Sequence, residues 1–464
     1  MANADQYDVI IIGAGPGGYV AGIRAAQLGL RSCVIEKDKA GGVCLNWGCI
    51  PSKNLLHQAK VFVESDELSE MGVVVDKSKL DYAKVQGKSR KVADQLMKGV
   101  EYLLKKNKVE LINGTAKIVE KAKVVLDNGK EIAGRNILIA TGSRPLEVPG
   151  FEFDETQVLS SNGILSLTKL PKSLVILGGG AIGCEFAYIL KAFGTKVTLV
   201  EMADHLLPFE DEETVAVLEK SFKKSGIEVL TGTVALSLSK TPGKVSVALK
   251  KEGIQSTVEA EKVLCVFGRK PNTESLGLAG IGLRTENGFI PVGPYYQSEV
   301  KGVFAIGDVV KTTPLLAHVA SREGEIAVEY MAGKETETIV DINAIPSAIY
   351  CEPQLASFGL RETVAKAGNI NYGKAVFPFR GLGKAVAIGK ANGHVKVLYQ
   401  KDTKEILGAH IVGENATELI HEILLAKSAE LLPDDITGMV HAHPTLSEAT
   451  IEVMRAIDNQ AIHV

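Results

Sequence analysis

Short apolar runs alternate along the chain with longer stretches in which apolar residues recur at helical spacing, as is typical of α/β proteins. The first run, Tyr7–Ile12, predicts a strand, Tyr19–Leu28 predicts a helix, and Arg31–Glu36 predicts a second strand. Further helices are predicted at 50–66 and 82–107, and further strands at 394–399 and 406–412.

The first predicted strand leads directly into a turn that contains Gly13, Gly15 and Gly18 in GxGxxG spacing. In a βαβ unit these glycines allow a tight turn and a close approach of the backbone to a pyrophosphate. Glu36, at the end of the second strand, stands where a carboxylate can bind ribose hydroxyls. The segment predicts a dinucleotide site.

The same pattern occurs a second time, with a strand at Ser173–Leu177, a helix that continues to Phe193 and a strand at Lys196–Val200. The glycines are Gly178, Gly180 and Gly183, and the acidic residue is Glu201. Glu201 follows Gly178, and Glu36 follows Gly13, by the same interval of 23 positions. One such turn could belong to any α/β protein, but the pair predicts two dinucleotide sites.

Cys44 and Cys49 lie in a segment that also contains Gly41, Gly42 and Gly48. In a regular helix their Cα atoms would be about 8 to 9 Å apart. A disulfide needs less than about 7 Å, so a bridge here requires a distorted segment, which glycines permit. Strained disulfides tend to be catalytic. The alternative is a pair of buried structural cysteines.

Composition limits the possible classes of protein. For 464 residues, a prior of one domain per about 150 residues predicts about three domains. Six cysteines are too sparse for a secreted disulfide framework and favour a reducing compartment. The formal charge of −3 gives no basic footprint for nucleic acid. We expect no targeting segment before Tyr7 and no membrane span, and therefore a soluble, cytoplasmic protein.

Two dinucleotide sites and a redox-suitable cysteine pair predict an electron path between a flavin and a nicotinamide, as in a flavin disulfide reductase. Two further strands, which end at Thr141-Gly142 and at Asp308, would bring small residues close to a cofactor. Asp308 could instead be a turn cap before Pro314.

Along nearly its whole length the chain resembles the dihydrolipoyl dehydrogenase family. The resemblance rests on Gly41–Lys53, both glycine-rich turns, Gly268–Thr273, Ile306–Asp308 and His441–Glu448, which appear in the family's order and rough spacing.

The resemblance implies roles for the cysteines. Cys44 would exchange with the dithiol substrate, and Cys49 would lie against the flavin as a charge-transfer thiolate. Lys53, near the flavin, would pair with Glu185. Lys53 is four residues after Cys49 and so on the same helix face.

A thiol needs a neighbouring base at neutral pH. The resemblance selects His443 as that base and Glu448 as the carboxylate that orients it. His441 is the competitor, and spacing does not decide between them. Only His443 directly precedes Pro444, which we expect to begin a helix.

The resemblance implies FAD and NAD as cofactors and predicts no metal ligand. The cofactor-binding residues that it implies are Gly13, Gly15, Gly18, Glu36, Lys53, Thr141, Gly142, Asp308, Ala317, Gly178, Gly180, Gly183, Glu201 and Gly268.

The implied fold has two Rossmann-like dinucleotide-binding domains, for FAD and NAD, and a C-terminal α+β dimerisation domain. The predicted bounds are 1–143 for the FAD domain, 144–274 for the NAD domain, 275–341 for a central domain with flavin contacts and 342–464 for the interface domain. The family implies a homodimer in which each active site uses both chains. Its partners would be lipoyl domains of an acyltransferase or the glycine cleavage H protein.

Three alternatives remain beside this prediction. A glutathione-type reductase would usually have NADPH-selecting arginines after the second unit, where this chain has Glu201–Asp204. A mercuric or selenium-type reductase would have extra cysteines at the termini. A non-catalytic scaffold subunit would not need the implied catalytic residues, which are Cys44, Cys49, Lys53, His443 and Glu448. An organellar location is also open.

The chain departs from the family at Trp47, where a smaller residue is usual, and at Cys351, where a hydroxyl residue is common.

Overall fold

The computed structural model of the chain describes residues 6–311 and 314–464. The strands in chain order are β1 (Tyr7–Ile12), β2 (Ser32–Glu36), β3 (Glu110–Asn113), β4 (Ala116–Glu120), β5 (Lys123–Leu126), β6 (Glu131–Ile139), β7 (Ser143–Pro145), β8 (Val158–Leu159), β9 (Ser173–Leu177), β10 (Lys196–Val200), β11 (Glu228–Leu230), β12 (Val234–Thr241), β13 (Lys244–Lys251), β14 (Ile254–Ala260), β15 (Lys262–Cys265), β16 (Arg269–Pro271), β17 (Val303–Ala305), β18 (Ser347–Ile349), β19 (Gln354–Gly359), β20 (Tyr372–Pro378), β21 (His394–Gln400) and β22 (Ile406–Gly413).

The α-helices are α1 (Pro16–Gln27), α2 (Gly42–Trp47), α3 (Cys49–Glu64), α4 (Glu67–Glu70), α5 (Tyr82–Lys106), α6 (Ser161–Ser166), α7 (Ala181–Ala192), α8 (Glu212–Ser225), α9 (Ala317–Met331), α10 (Glu362–Ala367), α11 (Gly383–Ala387), α12 (Ala416–Ser428), α13 (Pro433–Thr437) and α14 (Glu448–Ala456). A 3₁₀ turn at Gly307–Val309 follows β17.

The chain divides into two units, of which the first comprises the described residues of Met1–Asn54, Ala83–Glu147 and Phe267–Val340. Its sheet has the order β3-β2-β1-β6-β5-β4, in which β3, β2, β1 and β6 are parallel and β5 and β4 pair antiparallel, and β17 pairs in parallel with the end of β6. Ile10 and Ile137 pack on one face, and Ile11 and Leu138 pack on the other. Both faces are buried, as expected of a parallel sheet covered by helices.

The second unit comprises Leu55–Tyr82, Val148–Val266 and Asp341–Val464. It contains a parallel sheet of order β11-β10-β9-β15-β8, with α7 between β9 and β10. It also contains an antiparallel sheet of order β18-β19-β22-β21-β20, against which residues of α12 and α14 form an apolar core. The predicted fold class is therefore confirmed.

Most predicted elements lie within a few residues of their predicted bounds. The helix predicted from Tyr19 begins earlier, at Pro16, because Gly15 is already its N-cap. The helix predicted at 50–66 begins at Cys49 and ends at Glu64. The four domain bounds stay a prediction. The expected lack of a targeting segment depends partly on residues 1–5, which lie outside the described residues. None of the described helices is both long enough and apolar enough to span a bilayer.

A buried ion cluster within the second unit surrounds Lys396 of β21, whose side chain is fully buried. Its Nζ lies 2.8 Å from Asp211 Oδ2 and 2.7 Å from Glu362 Oε2. Asp211 is the N-cap of α8, and Glu362 is the first residue of α10. Burial alone would raise the pKa of both carboxyls, but the hydrogen bonds and charge of Lys396, together with those of neighbouring groups, outweigh burial and hold both pKa values below their usual range.

We expect Lys396→Met to lower the free energy of unfolding by about 3–5 kcal/mol at pH 7, because it removes the fully buried cation that Asp211 and Glu362 share, while only the more exposed lysines beside Glu362 remain. Lys366→Met is the matched control, because Lys366 also contacts Glu362, at 3.0 Å, but is 64% exposed. We expect it to cost less than about 1 kcal/mol. Urea unfolding followed by circular dichroism measures both changes.

The difference in the free energy of unfolding between wild type and Lys396→Met should depend on pH. Because the folded-state pKa values of Asp211 and Glu362 are lowered, their contribution to stability is present above the unfolded pKa of about 4 and is lost as the pH falls through the folded pKa values. The difference between wild type and Lys396→Met should therefore shrink below about pH 4. A difference that stays constant to pH 3 would contradict the assignment.

Candidate active site

The first glycine-rich turn is shaped by backbone contacts with the neighbouring strand end. Gly13 has φ +106°, and a Cβ there would lie 2.3 Å from the carbonyl oxygen of Ala140. A Cβ on Gly15 would instead meet nothing within 4 Å. No side chain of the described residues caps α1 at Gly15, so its N-terminal amides are open to an anion. Glu36 Oε2 accepts a hydrogen bond of 2.8 Å from Ala14 N.

The second glycine-rich turn repeats this geometry within the second unit. Gly178 has φ +116°, and its added Cβ would lie 2.5 Å from the carbonyl oxygen of Val266, whereas the space beside Gly180 is open. Glu201 Oε2 accepts a hydrogen bond of 2.6 Å from Gly179 N. Both turns therefore combine an open helix N-terminus with a fixed carboxylate, which fits a dinucleotide.

The two cysteines lie on separate helices. Cys44 is in α2, Cys49 is the first residue of α3, and Gly48 between them has φ −153° and ψ −109°. This break is the distortion that the sequence required. In the structure the two cysteines are thiols and not a disulfide.

The cysteine segment lies against the first glycine-rich turn. Gly41 N donates a hydrogen bond of 2.8 Å to the carbonyl oxygen of Ala14. A Cβ on Gly42, whose φ is +55°, would come within 2.7 Å of the Cα of Gly15. Glycine at position 42 is therefore needed for this approach.

The thiols influence each other's protonation. A hydrogen bond with Cys49 raises the pKa of Cys44, and burial raises it further. The charge of Asp308 acts in the same direction, whereas that of Lys53 opposes it. These influences together favour the protonated form of Cys44.

Asp308 lies in the 3₁₀ turn after β17 but does not cap it. Its Oδ2 instead accepts a short hydrogen bond from the Ser143 hydroxyl, and Arg269 Nε lies 3.6 Å from the same oxygen. Arg269 Nε also donates to Ser143 Oγ at 2.6 Å. These contacts fix the carboxylate at the end of the first sheet, and the turn-cap alternative stays untested because residues 312 and 313, just before Pro314, lie outside the described residues.

The remaining predicted residues of the first unit surround the same sheet end. Thr141 Oγ1 donates to the carbonyl oxygen of Asn272 at 2.7 Å, and Asn272 N donates to that of Gly142 at 2.9 Å. The carbonyl oxygen of Gly268 accepts from Leu146 N at 3.0 Å, and Ala317 begins α9.

Lys53 lies on α3 one turn after Cys49. Glu185 is buried on α7 of the second unit, where its Oε1 accepts a hydrogen bond of 3.2 Å from Tyr350 N. The pairing of Lys53 with Glu185 joins the two units and stays a prediction.

His443 and Glu448 form a direct contact in the second unit. The Nδ1 of His443 lies 2.9 Å from Glu448 Oε1, and Glu448 Oε2 accepts from Thr445 N at 2.9 Å. Burial alone would raise the pKa of Glu448, but the Thr445 amide and His443 outweigh it and lower the pKa. Because an ionised carboxylate only accepts, Nδ1 donates to Glu448, and Nε2, which has no hydrogen-bond partner among the described residues, can act as a base.

His441 is placed differently. Its Nε2 lies 2.8 Å from Glu422 Oε1 of α12, and its side chain is 7% exposed, against 75% for His443. The argument from Pro444 was wrong, because the helix begins at Glu448 and Pro444 lies in the preceding turn. The free Nε2 of His443, rather than a helix start, distinguishes the two.

A cavity of about 330 Å³ adjoins this pair, and His441, His443, Glu448, Glu452, Arg455 and His463 contribute to its lining. Glu452 is buried and accepts hydrogen bonds from Ile462 N at 2.8 Å and from Arg455 Nη1 at 3.1 Å. Within 6–311 and 314–464, no group of three or more His, Cys, Asp or Glu side chains could hold a metal ion.

Several residues that shape the site were not found from the sequence. Glu323, fully buried in α9, accepts from Gly307 N at 2.6 Å and so holds the turn that carries Asp308. Ser143 and Arg269 fix Asp308 itself. The only sequence signal for Glu323 is an acidic residue on the apolar side of a helix.

Comparison with known proteins agrees with this geometry. Residues 7–324 match the pyridine nucleotide-disulphide oxidoreductase family, and residues 345–454 match the dimerisation domain of that family. The chain therefore belongs to the pyridine nucleotide-disulphide oxidoreductase family.

Among its relatives, a dihydrolipoyl dehydrogenase of Bacillus subtilis is 43% identical, over 99% of this chain and 100% of that protein. A dihydrolipoyl dehydrogenase of Mycobacterium leprae is 41% identical over 99% of both chains. Among solved structures, LpdA from Mycobacterium tuberculosis has a TM-score of 0.89 at 26% identity, covering 96% of this chain and 99% of that one.

The glycine-rich turns give a direct test of the geometry. We expect Gly13→Ala to lower the free energy of unfolding by at least about 2 kcal/mol, because its Cβ collides with the Ala140 carbonyl at a strained φ. Gly15→Ala is the matched control and should cost less than about 1 kcal/mol, because the space beside it is open. Urea unfolding measures both, and equal losses would show that the Ala140 contact is not tight.

Proposed function

We propose that the chain is a dihydrolipoyl dehydrogenase, which oxidises dihydrolipoamide to lipoamide with bound FAD and with NAD⁺ as the electron acceptor. The observation that carries the proposal is the contact of the cysteine segment with the first glycine-rich turn, from Gly41 N to the carbonyl oxygen of Ala14. It places a thiol pair beside a dinucleotide cradle. The dihydrolipoyl dehydrogenases among the relatives support the choice of substrate.

The two cradles would hold the two cofactors. In the first, the N-terminus of α1 would bind the pyrophosphate of FAD and Glu36 its ribose, with Asp308 and Ala317 nearby. In the second, the N-terminus of α7 and Glu201 would do the same for NAD. When bound, FAD accepts the electron pair of the reduced cysteines and passes it to NAD⁺.

The chain's own residues carry out the thiol exchange. A substrate thiolate attacks Cys44 of the Cys44–Cys49 disulfide, the bond between the cysteines breaks, and Cys49 leaves as a thiolate. The positive end of α3 and Lys53 stabilise that thiolate. The second substrate thiolate then attacks the mixed disulfide, which releases the cyclic disulfide product and leaves Cys44 reduced. The substrate loses two electrons, and the cysteine pair gains them.

His443 supplies the base. Its Nε2 takes the proton of the first attacking thiol, the proton of the second passes to Cys44 as that sulfur leaves the mixed disulfide, and Glu448 stabilises the imidazolium through Nδ1. We place His443 of one chain at the disulfide of its partner, in a homodimer formed through the 345–454 region. The lipoyl domain of an acyltransferase or the glycine cleavage H protein would present the substrate.

The proposal includes the four predicted domains. It also includes a cytoplasmic location, and the small number of cysteines supports that location.

Turnover with defined substrates tests the function. The protein should oxidise dihydrolipoamide with NAD⁺, and kcat/KM should favour NAD⁺ over NADP⁺ by at least about a hundredfold, because Glu201 repels a 2′-phosphate. Glu201→Ala should reduce that preference at least about tenfold. Cys44→Ser and Cys49→Ser should each abolish turnover.

Cys351→Ser is the matched control. Cys351 is buried, in a position where a hydroxyl residue is common in the family, and its replacement should keep turnover near wild type. Reduction of glutathione disulfide by NADPH at a rate above that of dihydrolipoamide oxidation would favour the glutathione-type alternative. No turnover with either substrate would favour the scaffold alternative.

Subunit complementation tests the shared site. Inactive Cys44→Ser and inactive His443→Gln chains, unfolded together and reassembled, should recover about a quarter of the wild-type activity at equal mixing if the two residues belong to different chains of one site. Each variant reassembled alone is the control. Mixed dimers without activity would place both residues in one chain.

A further inference from the structure

The break at Gly48 must be held open against the tendency of the flanking residues to form one helix. A continuous helix would separate the Cα atoms of Cys44 and Cys49 by about 8 to 9 Å, beyond the reach of a disulfide. The break also leaves carbonyl groups at the end of α2 without helical partners. Whatever satisfies these groups stabilises the geometry that a disulfide needs.

Two consecutive residues of α5 bind carbonyl groups on the two sides of the break. Arg90 Nη2 donates a short hydrogen bond to the carbonyl oxygen of Asn46, near the end of α2. Ser89 Oγ donates a hydrogen bond of 3.0 Å to the carbonyl oxygen of Pro51, in the first turn of α3. Because Ser89 and Arg90 are adjacent on one helix, they fix the two cysteine-bearing helices relative to each other.

Trp47 adds a third contact at the same place. The guanidinium carbon of Arg90 lies 5.1 Å from the centre of the indole ring, within cation–π range. The indole Nε1 lies 3.3 Å from Asp38 Oδ2. Trp47 is the single tryptophan of the chain and stands between the two cysteines.

We propose that Arg90 is a positioning residue for the cysteine pair. With Ser89 and Trp47 it forms a brace that keeps Cys44 and Cys49 within bonding distance and so stabilises their disulfide relative to the dithiol. The assignment deepens the proposed function, because it concerns the same disulfide. It depends on the contacts of α5, however, and not on the identity of the substrate.

The physical basis is effective concentration. When oxidised dithiothreitol takes two electrons and two protons from the cysteine pair, the S–S bond forms at a cost that depends on how far the thiols are already held together. A brace that restricts the two helices lowers this cost. Without it the pair samples more separations, and the equilibrium moves toward the dithiol.

The test is a redox titration of the holoenzyme in dithiothreitol buffers, with the cysteine state trapped by acid and thiol labelling. Arg90→Met should lower the equilibrium constant for disulfide formation about tenfold, which raises the midpoint potential by about 30 mV. Lys91→Met is the matched control, because it removes the same charge from the neighbouring exposed position and should leave the potential unchanged.

Two further variants separate the brace from a general loss of structure. Arg90→Lys keeps the charge and a donor but loses the planar face, so its shift should be smaller than that of Arg90→Met. Trp47→Phe should shift the potential less than Trp47→Val, because the ring remains. In the double variant Arg90→Met/Trp47→Val, the shifts should be less than additive, because each removes the same contact.

An unchanged potential in Arg90→Met, or a shift equal to that of Lys91→Met, would overturn the proposal. Fully additive shifts in the double variant would overturn the part assigned to Trp47. If Arg90→Met fails to fold, Arg90→Lys and Trp47→Val decide the question by the same titration. A shift of the expected size in a protein without dihydrolipoamide turnover would support the brace and reject the proposed function.

Discussion

The close approach between the cysteine segment and the first glycine-rich turn is the contact on which the candidate site depends. Gly42 packs so near to Gly15 that a Cβ on Gly42 would lie 2.7 Å from the Cα of Gly15. The hydrogen bond from Gly41 N to the carbonyl oxygen of Ala14 fixes the two segments in register. A side chain on Gly42 would collide with Gly15, so glycine at position 42 allows the thiol pair to lie beside the first glycine-rich turn.

The chain uses one structural device twice. In each glycine-rich turn, one oxygen of a glutamate accepts from an amide of the turn, and the other accepts from an amide two residues after the glutamate. Glu36 does so with Ala14 and Asp38, and Glu201 does so with Gly179 and Ala203. Two backbone donors hold each carboxylate in one orientation before any ligand binds, and this preorganisation lowers the cost of binding. The first cradle differs from the second in having a cysteine segment against it.

Patterns within short segments of the sequence predicted the turns and helices that those segments form. The glycine-rich turns, Glu36 and the helix from Cys49 to Lys53 all follow from spacing over fewer than thirty residues. Long-range contacts were not predictable in this way. Arg90 donates a hydrogen bond to a carbonyl group 44 positions away in the sequence. Lys396 of β21 binds carboxylates at the start of α8 and at the start of α10. No periodicity in a single segment encodes such pairs.

The assignment of the base shows the same limit within a shorter segment. Sequence spacing could not separate His441 from His443, and the expected helix start at Pro444 was wrong because the turn continues to Glu448. What separates the two imidazoles is their surroundings: His441 is buried against Glu422, whereas the Nε2 of His443 is free.

The exposure of His443 has a consequence for assembly. A base that is 75% exposed in one chain is solvated by water, which weakens its interaction with Glu448 and with a developing thiolate. A second chain that covers this surface would exclude that water and strengthen both interactions. His443 and Glu448 lie within the 345–454 region that matches the family's dimerisation domain. The exposure of His443 therefore supports the proposal that a partner chain completes the site.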